Sequence, residues 1–246
     1  KRYNFDALLN YSKNFGQHGL KVMIGYHAEK YEVSKNQMQR NNFPSNSLND
    51  MDAGGASTQT NDGLSRELAM LSYFGRINYD FAGKYLLEAN FRADASSRFA
   101  PGHRWGYFPS FSAAWRISDE SFMEWSKDWL STLKMRASYG KSGNARVGSY
   151  WRQTYSPVTS TKNLYYQNEI GQSSLQPAKR LRNENLTWES KFSTNVGFDL
   201  GFFSNRINLT FDYYNDVTKD LIMEVQLPSN AGYSSQYQNL GQTTNR

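Results

Sequence analysis

The chain has 246 residues, with 28 Lys and Arg against 22 Asp and Glu, a formal net charge of +6, and no cysteine. The absence of thiols excludes disulfide frameworks, Cys-ligated zinc and thiol catalysis. The basic residues are scattered and form no run, which argues against a nucleic-acid partner.

Period-2 alternation starts at once. Tyr3, Phe5, Ala7, Leu9 and Tyr11 share one face of a first strand, and Leu20, Val22, Ile24, Tyr26 and Ala28 one face of a second. A third strand sets Leu71, Tyr73, Gly75, Ile77, Tyr79 and Phe81 against Ser72, Arg76, Asn78 and Asp80. The fourth sets Tyr85, Leu87, Ala89, Phe91 and Ala93 against Glu88, Asn90, Arg92 and Asp94. The fifth sets Tyr107, Phe111, Ala113, Trp115 and Ile117 against Ser110, Ser112 and Arg116. The sixth sets Leu133, Met135, Ala137 and Tyr139 against Lys134, Arg136 and Ser138. The seventh carries Phe192, Thr194, Val196, Phe198 and Leu200, and the eighth Ile207, Leu209, Phe211 and Tyr213, each opposed by polar residues.

Mean hydropathy is only −0.76, yet 15% of the residues are aromatic. A wall that offers lipid every second side chain, and water the others, reconciles these values. No apolar run approaches the roughly 18 residues of a spanning helix. Several of the strands reach the roughly 9–11 residues that cross the hydrocarbon at a tilt, with aromatic rings at their ends where an interfacial girdle belongs.

The connections sharpen the reading. Short ones (Lys13 to Gly19, Ala82-Gly83-Lys84, Ser204-Asn205-Arg206) alternate with long polar ones (Tyr31 to Glu67, Ser96 to Gly106, Lys141 to Glu189). Short periplasmic turns and long extracellular loops are the habit of outer-membrane barrels. The joint from Ser118 to Thr132 falls on the short side but is longer. Its Ser118-Asp119-Glu120 resembles a helix N-cap and Phe122, Trp125 and Trp129 have helical spacing, so a short helical turn is expected at the periplasmic rim. The fold class is therefore all-β: an antiparallel transmembrane β-barrel, with about eight to nine strands of a larger barrel present. A soluble sandwich would alternate too, but seldom tolerates several dozen polar residues in one connection.

Tyr73-Phe74-Gly75-Arg76-Ile77-Asn78-Tyr79, followed by Lys84-Tyr85-Leu86-Leu87-Glu88-Ala89-Asn90-Phe91-Arg92-Ala93-Asp94, resembles the SusC/RagA family of TonB-linked outer-membrane proteins. Similar phrases follow in order: Ser96-Ser97-Arg98-Phe99, Trp105-Gly106-Tyr107-Phe108-Pro109-Ser110, Ala114-Trp115-Arg116-Ile117-Ser118 and Leu133-Lys134-Met135-Arg136-Ala137-Ser138-Tyr139-Gly140. Asn183-Glu184-Asn185-Leu186-Thr187-Trp188-Glu189 is similar to the family's Asn-x-x-Leu-x-Trp-Glu phrase, and Asn239-Leu240-Gly241 resembles the lead into a further strand. The resemblance covers most of the chain from Tyr73 onward. It implies a Gram-negative outer-membrane importer of oligosaccharides or peptides, with a plug inside the barrel. A SusD-like surface lipoprotein would cap it, and the TonB-ExbB-ExbD complex would energise it through the plug. Residues 1–246 are then expected to be part of the barrel domain, with plug and signal peptide not covered, since Lys1 is not an initiator Met and no signal peptide follows it.

Candidate chemistry points away from an enzyme. Ser138-Tyr139-Gly140-Lys141 matches Ser-x-x-Lys, but it overlaps Lys141-Ser142-Gly143 on one strand, and one lysine cannot fill both catalytic roles. The histidines, His18, His27 and His103, stand far apart. Asp50-Met51-Asp52 opens like a calcium loop, but Gly54 replaces the third oxygen ligand and Asn61 stands where the closing Glu is needed; no metal or cofactor is expected. Arg76, Asp80, Glu88, Arg92, Asp94, Arg116 and Arg136 are expected to face the lumen, as a wet wall with cross-strand pairs or as tuners of selectivity. Trp105, Tyr150, Trp151, Tyr155, Tyr165 and Tyr166 fall in outer loops, where flat rings suit sugars; packing between loops or against the lid is the alternative role. A passive pore or adhesion barrel without TonB coupling is the alternative to import.

Overall fold

The computed structural model describes residues 1–146, 155–157, 175–177 and 180–246. Its strands are β1 (Arg2–Phe15), β2 (His18–Gln39), β3 (Thr60–Phe81), β4 (Tyr85–Ser96), β5 (Trp105–Arg116), β6 (Leu130–Asn144), β7 (Tyr155–Pro157), β8 (Leu175–Pro177), β9 (Arg180–Leu181), β10 (Glu189–Phe202), β11 (Ile207–Lys219), β12 (Ile222–Gln226), β13 (Ser235–Asn239) and β14 (Gln242–Asn245). Among the described residues, nine of them form one open sheet in the order β1-β2-β3-β4-β5-β6-β10-β11-β14, all pairs antiparallel. The anticipated eight strands are all present, and β14 is the further strand expected after Gly241.

The expected short side is confirmed. Gly16-Gln17 alone joins β1 to β2, with Gly16 at φ 59°. Between β3 and β4, Ala82 and Gly83 are both left-handed, and the Asp80 carboxylate accepts the Gly83 N–H at 2.9 Å. After β10, three consecutive non-glycine residues, Phe203, Ser204 and Asn205, adopt positive φ. Such backbone costs free energy, and it is held from the neighbouring turn. Phe203 N–H donates to the Trp129 carbonyl at 2.9 Å and Ser204 N–H to Ser131 Oγ at 2.7 Å.

Two boundaries differ from the sequence reading. β2 and β3 run on for 22 residues each, so the loop expected over Tyr31 to Glu67 shrinks to residues 40–59. At about 3.3 Å per residue, each of these strands is some 70 Å long, well beyond the hydrocarbon. The joint after β5 holds two short 3₁₀ helices, Ile117–Asp119 and Ser121–Ser126, and Ser118 caps neither. The cap position of the second belongs to Glu120, whose side chain is engaged elsewhere.

The packing excludes a sandwich. Among the described residues only seven hydrophobic side chains are buried: Ala93, Phe99, Ala100, Phe108, Leu130, Leu186 and Trp188. A two-layer soluble domain would bury the long apolar rows. Here Leu87, Phe91, Phe111, Leu209 and Phe211 are all exposed, Phe111 and Phe211 at 59%. The true core is a cluster at the long-loop end, where Phe99, Phe108, Leu186 and Trp188 meet Met70, Ile222 and Tyr237. Trp188 is its centre: the ring lies 5.4 Å from both Phe99 and Phe108, and its indole N–H donates to the Arg104 carbonyl at 2.9 Å. The cluster seats a second sheet, β12-β13-β9, that the alternation did not signal.

Candidate functional site

The two faces of the sheet differ in chemistry at the same height. One carries rings in register: Phe81 on Tyr85, Tyr85 on Trp115, and Phe91 on Tyr107, with centroids 6.1–6.3 Å apart and stacked. The other carries charge. A hollow of about 910 Å³ on it is lined by Lys21, Asn78, Glu88, Lys134, Arg136 and Asn195.

The seven candidate charges of the wall are brought together by register, and each finds a partner. Arg136 donates to Asp199 through Nε and Nη2 at 2.9 and 3.0 Å, and reaches Asp212 at 3.2 Å. The strand between Arg136 and Asp212 carries Gly197, paired with both. A Cβ there would lie 2.4 Å from Asp212 Oδ1 and 3.0 Å from Arg136 Nη2, so a glycine opens the path for this three-strand bridge. Arg76 donates to Asn90 at 2.7 Å, Asn90 in turn to Glu88 at 2.7 Å, and Arg76 stands 4.0 Å from Glu88 itself. Arg92 donates to both Asp94 oxygens at 2.8 Å and to Ser72 at 3.0 Å. Asp94 and Ser72 are buried. Asp80 holds the β3–β4 turn, and Arg116 pairs with Asp119 at 3.3 Å in the rim. The exposed pairs among these contribute little stability, typically 0–1 kcal/mol each; their effect is to keep a charged surface ordered.

The alternation hides one feature of this face. Leu8, Gly25, Phe74, Arg92 and Phe108 are successive partners across β1 to β5. The Phe74 ring fills the space over Gly25, where a Cβ would lie 2.2 Å from it, and Arg92 sits 5.3 Å above that ring. An aromatic stripe therefore crosses the charged wall. The adjacent Tyr73-Phe74 and Tyr107-Phe108 pairs, which break strict alternation, are its traces in the sequence.

The aromatic loop residues fare differently. Trp105 opens β5 and stacks on Tyr73 at 6.1 Å, with the ring face of the sheet and not above it. Tyr155 lies in β7, paired with Pro177, and its side chain is outside the described residues, as are Tyr150, Trp151, Tyr165 and Tyr166 altogether. The Asn183 to Glu189 phrase is architectural. Leu186 and Trp188 fill the cluster, Asn183 donates to the Tyr237 carbonyl at 2.7 Å, and Thr187 N–H donates to Asn239 Oδ1 at 2.8 Å. Asn239 answers by donating to the carbonyls of Thr187 and Asp220.

The second sheet is pinned by an ion pair. Arg180 donates twice to Glu224, at 2.7 and 2.9 Å, and Ser235 adds a hydroxyl. Arg180, then Ser235, hold Glu224 at a pKa of about 2, below its ordinary 4.5. Glu224 therefore gives up its proton more readily folded than unfolded. Its stabilisation is complete above pH 4.5 and is lost as pH falls toward 2. Glu224→Gln is expected to speed amide exchange in β12 and β13 at neutral pH, with the difference from the parent protein vanishing near pH 2. An equal difference at both pH values would show that the pair does not pin the sheet.

Comparison with known proteins agrees with this geometry. The family model for the TonB dependent receptor-like β-barrel matches residues 1–246. TonB-dependent receptor P3 of Formosa agariphila is 34% identical over 239 residues, covering 97% of this chain and 23% of its own length. TonB-dependent receptor SusC of Bacteroides thetaiotaomicron is 30% identical over 253 residues, covering 99% of this chain and 24% of its own. The RagAB peptide importer in its closed-closed state superposes with a TM-score of 0.86 at 29% identity, over 99% of this chain and 26% of that one. The chain thus spans about a quarter of the length of the relatives it matches.

Proposed function

The chain belongs to the TonB-dependent receptor β-barrel family, and from that premise we propose that it is part of the wall of a Gram-negative outer-membrane importer. The observation that carries this is the segregation of the sheet. Rings cover one face and a paired, hydrated charge network covers the other, as a barrel between lipid and an aqueous lumen requires. The short turns are periplasmic and the long loops, with the β12-β13-β9 sheet, are extracellular. The charges from Arg76 to Arg136 line the lumen and meet the plug and the passing solute.

The substrate is an oligosaccharide or a peptide. The SusC relationship and the RagAB likeness favour a SusD-like lipoprotein as the lid over the loops. Energy comes from the TonB-ExbB-ExbD complex acting on a plug inside the barrel. Trp105, Tyr150, Trp151, Tyr155, Tyr165 and Tyr166 are the aromatic candidates for contact with substrate or lid. None of these roles calls for an enzyme, a metal or a cofactor.

The test uses the intact gene and a nutrient on which growth depends on it. Removing the TonB system is expected to reduce uptake to background. Uptake that continues undiminished would make the barrel a passive pore.

A further inference from the structure

The connection between β5 and β6 is unlike the other turns. It is longer, and it holds rings that no other part of the described chain covers. Phe122 and Trp125 are three residues apart on the Ser121–Ser126 3₁₀ helix, and a 3₁₀ helix repeats every three residues, so they share one edge. Ser121, Glu124 and Lys127 share another, and Glu124 and Lys127 pair at 3.4 Å. The turn is thus amphipathic, and its apolar edge is open: Trp125 is 71% exposed.

That edge continues the ring face of the sheet. Phe122 meets Trp115 edge-on at 6.5 Å, and Trp115 stacks on Tyr85, which stacks on Phe81. On the other side Trp125 lies 6.1 Å from Trp129, which stacks on Phe202 of β10. Phe203 beside it is exposed. One band of rings therefore runs from β3 to β10 through the turn. Glu120 locks the turn in this place: it accepts the Tyr85 hydroxyl at 2.7 Å, the Trp115 indole N–H at 3.1 Å and the Lys84 ammonium at 3.1 Å. Tyr85, then Trp115 and Lys84, hold the Glu120 carboxyl below its ordinary range, so it stays ionised and keeps all three.

We propose that this turn is a membrane foot, lying in the headgroup layer of the periplasmic leaflet with Phe122 and Trp125 reaching into phospholipid. Lipid is the occupant because the edge is continuous with the lipid-facing rings of β4 and β5. Tryptophan has the amphipathic shape that suits this depth. Glu124 and Lys127, on the other edge, stay in water. The inference rests on the membrane-barrel reading of the preceding section and adds a surface to it.

Depth measurement separates the two. The chain has no cysteine, so single substitutions Phe111→Cys, Phe122→Cys, Trp125→Cys and Lys127→Cys can each carry one spin label. The protein is the intact one, with any cysteine elsewhere replaced, in vesicles of phosphatidylethanolamine and phosphatidylglycerol. Accessibility to oxygen relative to a water-soluble nickel complex is expected to be severalfold higher at positions 122 and 125 than at 127, and highest at 111. If 111 lies in lipid while 122 and 125 are as wet as 127, the foot is overturned and the barrel stands. If 111 is itself in water, the barrel reading falls and the foot with it. Glu120→Gln supplies a second readout: it is expected to loosen the lock and raise label mobility at 125 with no change at 111. Unchanged mobility would remove Glu120 from the mechanism.

Discussion

Phe111→Arg is expected to destabilise the barrel by about 2–4 kcal/mol, while Ser112→Arg, one residue on, costs little. The two positions are neighbours in β5 with opposite surroundings. Phe111 stands between Ala89 and Tyr139, with Ile77 and Leu87 near it on the ring face. A guanidinium there must leave water for hydrocarbon, where no partner offsets its desolvation. Ser112 stands between Glu88 and Ser138 on the charged face, and an arginine gains a carboxylate across the strand. Urea unfolding of the intact protein in lipid vesicles measures both. Equal costs at the two positions would contradict the division of the sheet into a lipid face and a water face.

Trp188→Ala is expected to cost about 3–5 kcal/mol, as large-to-small changes in cores do. The loss is expected at the loop end, because the cluster takes only Phe108 of β5 and Met70 of β3 from the wall, and the backbone ladder of those strands does not depend on the Trp188 ring. The substitution removes the ring that touches Phe99 and Phe108 and leaves the Arg104 carbonyl without its indole donor. The expected pattern is therefore specific. Extracellular protease cuts near β9, β12 and β13 faster, while resistance of the barrel to unfolding in detergent is unchanged. Loss of the whole barrel would mean that the cluster supports the wall as well as the loops.

The contrast between these sites explains what was legible in the sequence. Alternation survives only where the two faces meet different solvents. From Tyr85 to Asp94 one face is apolar and the other charged, so the strand was plain. From Lys30 to Gln39 both faces meet water, and the pattern disappears although the ladder continues. There the strands are held by backbone pairing and by ion pairs such as Lys30 of β2 with Glu67 of β3 at 3.7 Å. β12 and β13 are five residues each and turn Ile222 and Tyr237 toward a local core, too short a run to show a period. Ser118 looked like a cap because the local pattern fits one, but the carboxylate with three donors in reach, Glu120, decides the geometry of the turn.

The candidate site was half legible for the same reason. That Arg76, Arg92 and Arg136 share a face follows from parity alone. Which carboxylate each one meets depends on register between distant segments. Arg136 finds Asp212 only because Gly197 lies between them. The aromatic stripe through Phe74 needed the pairing of five strands to become visible.

The strand order has a consequence for how such a wall is assembled. Every strand of the main sheet docks on its predecessor in that sheet, so closing one pair never waits for a later strand of the sheet. The growing structure has a single advancing margin, and each new hairpin satisfies the backbone groups left open by the last. The excursions between β6 and β10 and between β11 and β14 are the pauses in this sequence, and each time the chain returns to the margin it had left open. Insertion can then proceed as a zipper, hairpin by hairpin, with new strands added at one margin only.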